Sequence, residues 1–153
     1  MGLGETIGYC ARLTQNNTNP GLYQTQVNLS TGMIHIALMG DPTLRLHPVV
    51  PASALNGVAG TGQLNLTWVA SPDPAIVGYH VYRASSATGP FTRLTNSPVA
   101  NTAFTDSGAT GGATYQVRAV KLEITPSGSY FNASQGIFHT AGAVVLQIGR
   151  AHV

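Results

Sequence analysis

The sequence predicts a mainly β protein: a seven-stranded antiparallel β-sandwich preceded by a short helix–strand remnant of an α/β domain. Three observations predict it. From residue 52 onward, short apolar/polar alternations recur between turn-forming clusters, the pattern of strands with one buried and one wet face. Gly 18 and Pro 9 punctuate a chain of 153 residues, which suits a turn-rich fold. Charged residues are only 8%, against about a quarter in ordinary domains, and the many Thr, Ser and Asn fit a turn-rich β protein better than a helical one.

In chain order, residues 3–16 read as a short helix, with Ile7, Cys10 and Ala11 on one face and Gly8 weakening it. Asn16, Asn17, Asn19, Pro20 and Gly21 open a loop. Residues 33–39 form an apolar run between Gly32 and Gly40, the signature of a strand buried on both faces. Gly40-Asp-Pro-Thr43 is turn chemistry, with Asp41 placed to make an Asx bond. Pro48 and Pro51 bound a stiff linker, residues 48–51. In the sandwich, Leu64, Leu66 and Trp68 alternate with Asn65 and Thr67. Ser71-Pro-Asp-Pro74 breaks that strand. Tyr79, Val81 and Arg83 then alternate with His80 and Tyr82. Residues 91–95 form a strand after the Ala87-Thr-Gly-Pro90 turn, and 103–105 a short one. A glycine-rich loop over 106–112 leads to Tyr115, Val117 and Ala119, alternating with Gln116 and Arg118. The last strand covers 129–138. About seven strands at this spacing make a sandwich.

The motifs Leu64-x-Leu66-x-Trp68, Gly78-Tyr-His-Val-Tyr-Arg83, Gly-Pro-Phe91-Thr-Arg-Leu and Tyr115-Gln-Val-Arg-Ala119 resemble those of fibronectin type III domains over about residues 51–138. The resemblance implies that Trp68, Tyr79, Val81, Tyr115 and Val117 are structural. It also implies that the Tyr115 hydroxyl bonds back to the backbone as a tyrosine corner. Separately, the order helix, Asn-rich loop, apolar strand and Leu38-Met-Gly-Asp-Pro-Thr-Leu-Arg45 resembles the C-terminal end of gingipain-like, caspase-fold cysteine peptidase domains, over about residues 3–47. That resemblance implies a parent peptidase whose catalytic histidine and cysteine lie upstream, so no catalytic residue is assigned here. The expected organisation is therefore a peptidase-like remnant (1–47), a linker (48–51), a fibronectin type III-like domain (52–138) and a tail (139–153).

Residues 148–153 carry a separate expectation. Ile148-Gly-Arg-Ala-His-Val153, read back as ATC GGA AGA GCA CAC GTC, matches a widely used sequencing adapter in one frame, and these six positions are read as adapter-derived.

The sites are sparse. One cysteine, Cys10, excludes a disulfide framework. Cys10 and His35 read as packed residues rather than a catalytic dyad. The histidines His35, His47, His80, His139 and His152 follow no zinc spacing, and Asp41, Asp73 and Asp106 no calcium-loop spacing, so no metal or cofactor is expected. Gly108-Ala-Thr-Gly-Gly112 lacks the lysine of a phosphate loop. Asn16, Asn28, Asn65 and Asn132 stand in glycosylation sequons. A net charge of +2 without a basic cluster argues against nucleic acid, and no apolar run is long enough for membrane insertion.

His80, Tyr82 and Arg118, with Val120, fall by alternation on the face opposite the core and form a candidate interaction surface. The functional expectation is a non-catalytic spacer or interaction module of a secreted or surface multidomain protein. Its partners would be neighbouring domains of the same polypeptide, or a protein or glycan ligand. The alternatives are the trailing module of an active cysteine peptidase, or an adhesion or carbohydrate-binding module. The expected location is extracellular or cell surface, the signal peptide lying outside this chain.

Overall fold

The computed structural model describes residues 5–15, 38–126 and 128–142. The chain divides into two compact units, Met1–Pro48 with Ile124–Tyr130, and Val49–Glu123 with Phe131–Val153.

In the first unit, helix α1 (Ile7–Gln15) starts at Thr6. The Thr6 hydroxyl accepts the Tyr9 N–H at 3.2 Å, an N-cap that satisfies one of the helix's orphan donors. Two more are taken up by the turn that follows Gly40: Ile7 N–H donates to Leu44 O and Gly8 N–H to Pro42 O, both at 2.9 Å. A Cβ at Gly8 would lie 2.6 Å from Pro42 Cβ. The glycine that weakens the helix by propensity is therefore what lets this turn close on it. The turn is fixed by the Asp41 carboxylate, whose Oδ1 accepts from Thr43 N at 2.8 Å and Thr43 Oγ1 at 2.7 Å. Those bonds, to the side chain first, hold the Asp41 carboxyl below its ordinary range.

The expected strand over 33–39 falls mostly outside the described residues. Its last two positions, Leu38 and Met39, are not in a strand, and Met39 is 94% exposed.

The second unit is an antiparallel sandwich. Its strands are β1 (Ser53–Gly60), β2 (Gln63–Val69), β3 (Ile76–Ala84), β4 (Thr92–Arg93), β5 (Ala103–Asp106), β6 (Thr114–Thr125), β7 (Gly128–Ala133) and β8 (Ile137–Thr140). β6 and β7 run on into the hairpin whose tip belongs to the first unit. One sheet has the order β1-β2-β5; the other has β4-β3-β6-β7, with β8 also paired to β6. The strand alternation puts Leu64, Leu66 and Trp68 of β2 against Tyr79 and Val81 of β3 and Tyr115, Val117 and Ala119 of β6 in one buried cluster. Val49, Ala52 and Ala141 join the same cluster. The packed unit thus takes in part of the segment read as linker and runs past residue 138.

Three details depart from the sequence reading. The single strand expected over 129–138 is two strands, eight in all among the described residues. The break sits at Ser134, whose Oγ accepts the Ala119 N–H at 2.9 Å while its own N–H donates to Ala119 O at 2.8 Å. A side chain takes the place of a backbone carbonyl there, and the ladder cannot continue in register. The strand expected over 91–95 shrinks to Thr92–Arg93 for a related reason. Thr95 Oγ1, not a backbone oxygen, accepts the Val81 N–H at 3.2 Å.

Val120 is the third departure. Alternation puts it on the outward face with Arg118, yet it is 1% exposed. It pairs with Gly78, just past a register shift. Pro98 folds over that glycine, 2.8 Å from where a Cβ would stand. The outward face is covered at this point.

Candidate interaction surface

Each structural residue expected from the sequence has a definite place. Trp68 and Tyr79 are buried and pack edge to face, ring centroids 5.4 Å apart. The Tyr79 hydroxyl accepts the Ser71 N–H at 3.0 Å, tying the Ser71-Pro-Asp-Pro74 break to the core. Val81 and Val117 face each other across β3 and β6 and are fully buried.

Tyr115 corrects an expectation. Its hydroxyl does not reach the backbone; it donates to Asp106 Oδ2 at 2.7 Å. The carboxylate relays that contact, because Asp106 Oδ1 accepts the Gly108 N–H at 2.9 Å and Arg83 Nη1 donates to Oδ2 at 2.8 Å. Arg83 Nη1 also donates to Gly108 O. The tyrosine therefore pins the glycine-rich loop through a charge instead of a carbonyl. Burial opposes ionisation of Asp106, but the bonds from Tyr115, Gly108 and Arg83 outweigh it and leave the carboxyl below its ordinary value. Burial first, then Asp106, pushes the Tyr115 phenol well up. Nothing in the sequence separates Asp106 from the other scattered acids; only the fold brings it under Tyr115.

The outward face of the larger sheet is built from register. Arg93 of β4 pairs with Tyr82 of β3, Tyr82 with Gln116 of β6, and Gln116 with Phe138 of β8. One row of four side chains thus crosses the sheet. Beside it His80 pairs with Arg118. His80, Tyr82 and Arg118 are all half-buried, and the His80 and Tyr82 rings meet edge-on at 6.3 Å. At one end Phe91 reaches Phe138, centroids 5.7 Å apart. Ala84 and Thr114, paired and outward by alternation, are nonetheless buried. The Gln116 side chain lies over Gly136, where no Cβ would fit.

Arg118 is held in place by its Nε, which donates to Ser134 O at 2.7 Å. His80 Nδ1 sits 2.9 Å from Thr95 Oγ1. That oxygen also accepts from Val81 N–H, and the direction of its bond with the ring is set by the imidazole tautomer. Burial, then the positive charges of Arg93 and Arg118, hold the imidazole below its ordinary pKa and keep it neutral near pH 7. Arg93, Phe91 and Phe138 are the members of this face that alternation within a single strand does not find.

The other candidates do not come together. Cys10 is half-buried in α1, and His35 lies outside the described residues, as do residues 148–153. Asn132 of the last sequon is buried, and Asn65 accepts from Thr105 Oγ1 at 2.8 Å. Among the described residues no three of His, Cys, Asp and Glu are grouped to hold a metal, and no helix is long and apolar enough to cross a membrane.

No family model matches the chain, and no curated protein matches it. Solved structures do. An Fn3-like protein from Clostridium thermocellum is similar at 26% identity over 60% of this chain and 92% of that one, with a TM-score of 0.46. The fibronectin type III domain of the human collagen alpha-1(XX) chain is similar at 21% identity over 68% and 92%, TM-score 0.46. A fourth fibronectin type III domain of a human protein is similar at 18% identity over 81% and 99%, TM-score 0.42. By its own strand order and pairing, with three strands in one sheet, five in the other, and β1·β2, β2·β5, β3·β4, β3·β6 and β6·β8 all antiparallel, the second unit is a mainly β, fibronectin type III-like sandwich.

Proposed function

We propose that this sandwich is a non-catalytic spacing and interaction module of a larger secreted or surface protein, and that it engages its partner through the outward face of the β4-β3-β6-β8 sheet. The observation that carries this reading is a division of labour among the polar groups. The buried acid Asp106 is fully engaged in holding Tyr115, Arg83 and the 106–112 loop. His80, Tyr82 and Arg118 are instead brought together on an open sheet face. Aromatic and arginine side chains on a flat, rigid surface are the usual anchors of recognition. The resemblance of residues 51–138 to fibronectin type III domains, which are often extracellular, supports secretion or surface display.

The test uses the full chain, immobilised and exposed to a panel of extracellular proteins and polysaccharides. At least one component is expected to bind, and the Tyr82→Ala/Arg118→Ala double variant is expected to lose that binding while keeping its unfolding midpoint. A variant that binds every component as the parent does, or a parent that binds none, overturns the reading.

A further inference from the structure

The charges of the sandwich are distributed unevenly. Lys121 lies between Asp73, at 3.4 Å, and Glu123, at 3.5 Å. Asp106 takes Arg83 at 2.8 Å. These three acids are all those of the second unit, and none is ion-paired to Arg93 or Arg118. Among the described residues, the two remaining guanidinium groups on the outward face therefore have no carboxylate partner, and each is close enough to His80 to disfavour its protonation. A face that carries one positive charge at the end of an aromatic row and another beside that row is complementary to an anion.

The geometry narrows the anion. Arg93 and Arg118 are separated by two strand spacings and by two residues along the strands, which places their backbones about 12 Å apart from ordinary sheet dimensions. Tyr82 stands next to Arg93 in its row and diagonal to Arg118, with Gln116 and His80 as neutral hydrogen-bonding groups beside it. The ligand must therefore present two acidic groups flanking a segment with an apolar face and polar edges. An acidic peptide would gain its main-chain hydrogen bonds at a sheet edge. Here β3 and β6 are paired on both sides and offer it none. A sugar ring meets the requirement with side chains alone, its C–H face on the aromatic ring and its hydroxyls on Gln116 and His80.

We propose that this face binds a linear acidic polysaccharide, with carboxylates on neighbouring sugar units held by Arg93 and Arg118 and the intervening ring stacked on Tyr82. This rests on the reading of the face as an interaction surface and adds the ligand class. Arg118 enters already oriented, because its Nε is fixed to Ser134 O and its two terminal nitrogens remain for a bidentate carboxylate. Phe138, 55% exposed and braced by Phe91, extends the stacking surface by one more sugar.

The experiment titrates the full chain with oligogalacturonate, its fully methyl-esterified form, neutral dextran and poly-glutamate, following binding by calorimetry at low and high salt. Oligogalacturonate is expected to bind and the neutral ligands not to, with affinity falling as salt rises. Arg93→Ala and Arg118→Ala are each expected to weaken binding at least about tenfold, as loss of a bidentate charge-assisted contact does. Arg118→Lys keeps the charge but not the fork, and is expected to restore only part of the affinity. Denaturation midpoints near the parent's identify variants that fold. Binding of poly-glutamate as tight as oligogalacturonate, equal binding of the methyl ester, or arginine variants that bind as well as the parent would each overturn the proposal. If oligogalacturonate fails while Tyr82→Ala/Arg118→Ala still abolishes binding of another component, the ligand class falls and the interaction surface stands. If these substitutions change nothing, both fall.

Discussion

Replacing Tyr115 by phenylalanine removes one oxygen from a side chain that is 0% exposed and leaves the packing of its ring intact. What is lost is the 2.7 Å bond to Asp106 Oδ2. Hydrogen bonds to charged groups contribute about 1.5–3 kcal/mol. Asp106 keeps Arg83 and the Gly108 N–H in the variant, so the carboxylate is not orphaned and the loss belongs in the lower half of that range, about 2 kcal/mol. In a domain of this size each kcal/mol lowers Tm by about 4–8 °C. Urea unfolding followed through Trp68 fluorescence reads the effect as a lower midpoint at unchanged slope. A double-mutant cycle with Asp106→Asn should show positive coupling, since the two residues touch. A loss below about 0.5 kcal/mol, the size of an ordinary surface substitution, or additive losses in the cycle, would refute the claim that the tyrosine acts through the carboxylate.

The same carboxylate sets an acid limit. Because Asp106 titrates below its ordinary value when folded, its contribution is fully present above the unfolded carboxyl pKa and is lost as pH falls through the folded one. The parent's denaturation midpoint should therefore drop on acidification below about pH 4, the unperturbed aspartate range. Asp106→Asn, less stable at neutral pH, should flatten that slope; an unchanged slope would count against the network. Gly78 has φ +154° and Pro98 2.8 Å from the site of a Cβ. Gly78→Ala should cost about 1–3 kcal/mol, the range for strained backbone, and a neutral result by thermal melt would show that the Pro98 crossing is soft.

Much of the sandwich is legible in the sequence because its signal is local. Leu64, Leu66 and Trp68 alternate within seven residues of β2, and a period of two has only one reading. His80, Tyr82 and Arg118 follow from the same rule applied to the other parity. What is not legible depends on pairing between distant strands. Ser134 breaks the last strand only because its hydroxyl finds Ala119, and serine in a strand carries no mark of that. Val120 is buried because Gly78 stands opposite and Pro98 crosses over it, a fact of β3 and not of β6. Asp106 looks like any loop acid until Tyr115 and Arg83 are brought to it. Arg93 and Phe138 join the outward face through three strand registers, none of which can be counted along a single segment. The pattern within a strand thus identifies the core, and the pairing between strands assembles the surface.

The central claim, that the outward face is where this module meets its ligand, is tested most directly by mapping amide and side-chain NMR shifts of the full chain on titration with oligogalacturonate. The account predicts saturable shifts grouped on His80, Tyr82, Arg93, Gln116, Arg118 and Phe138, with Leu64, Leu66 and the buried cluster around them unmoved. Saturable shifts confined to the β1-β2-β5 sheet or to the 106–112 loop, or no shifts at all, would contradict it.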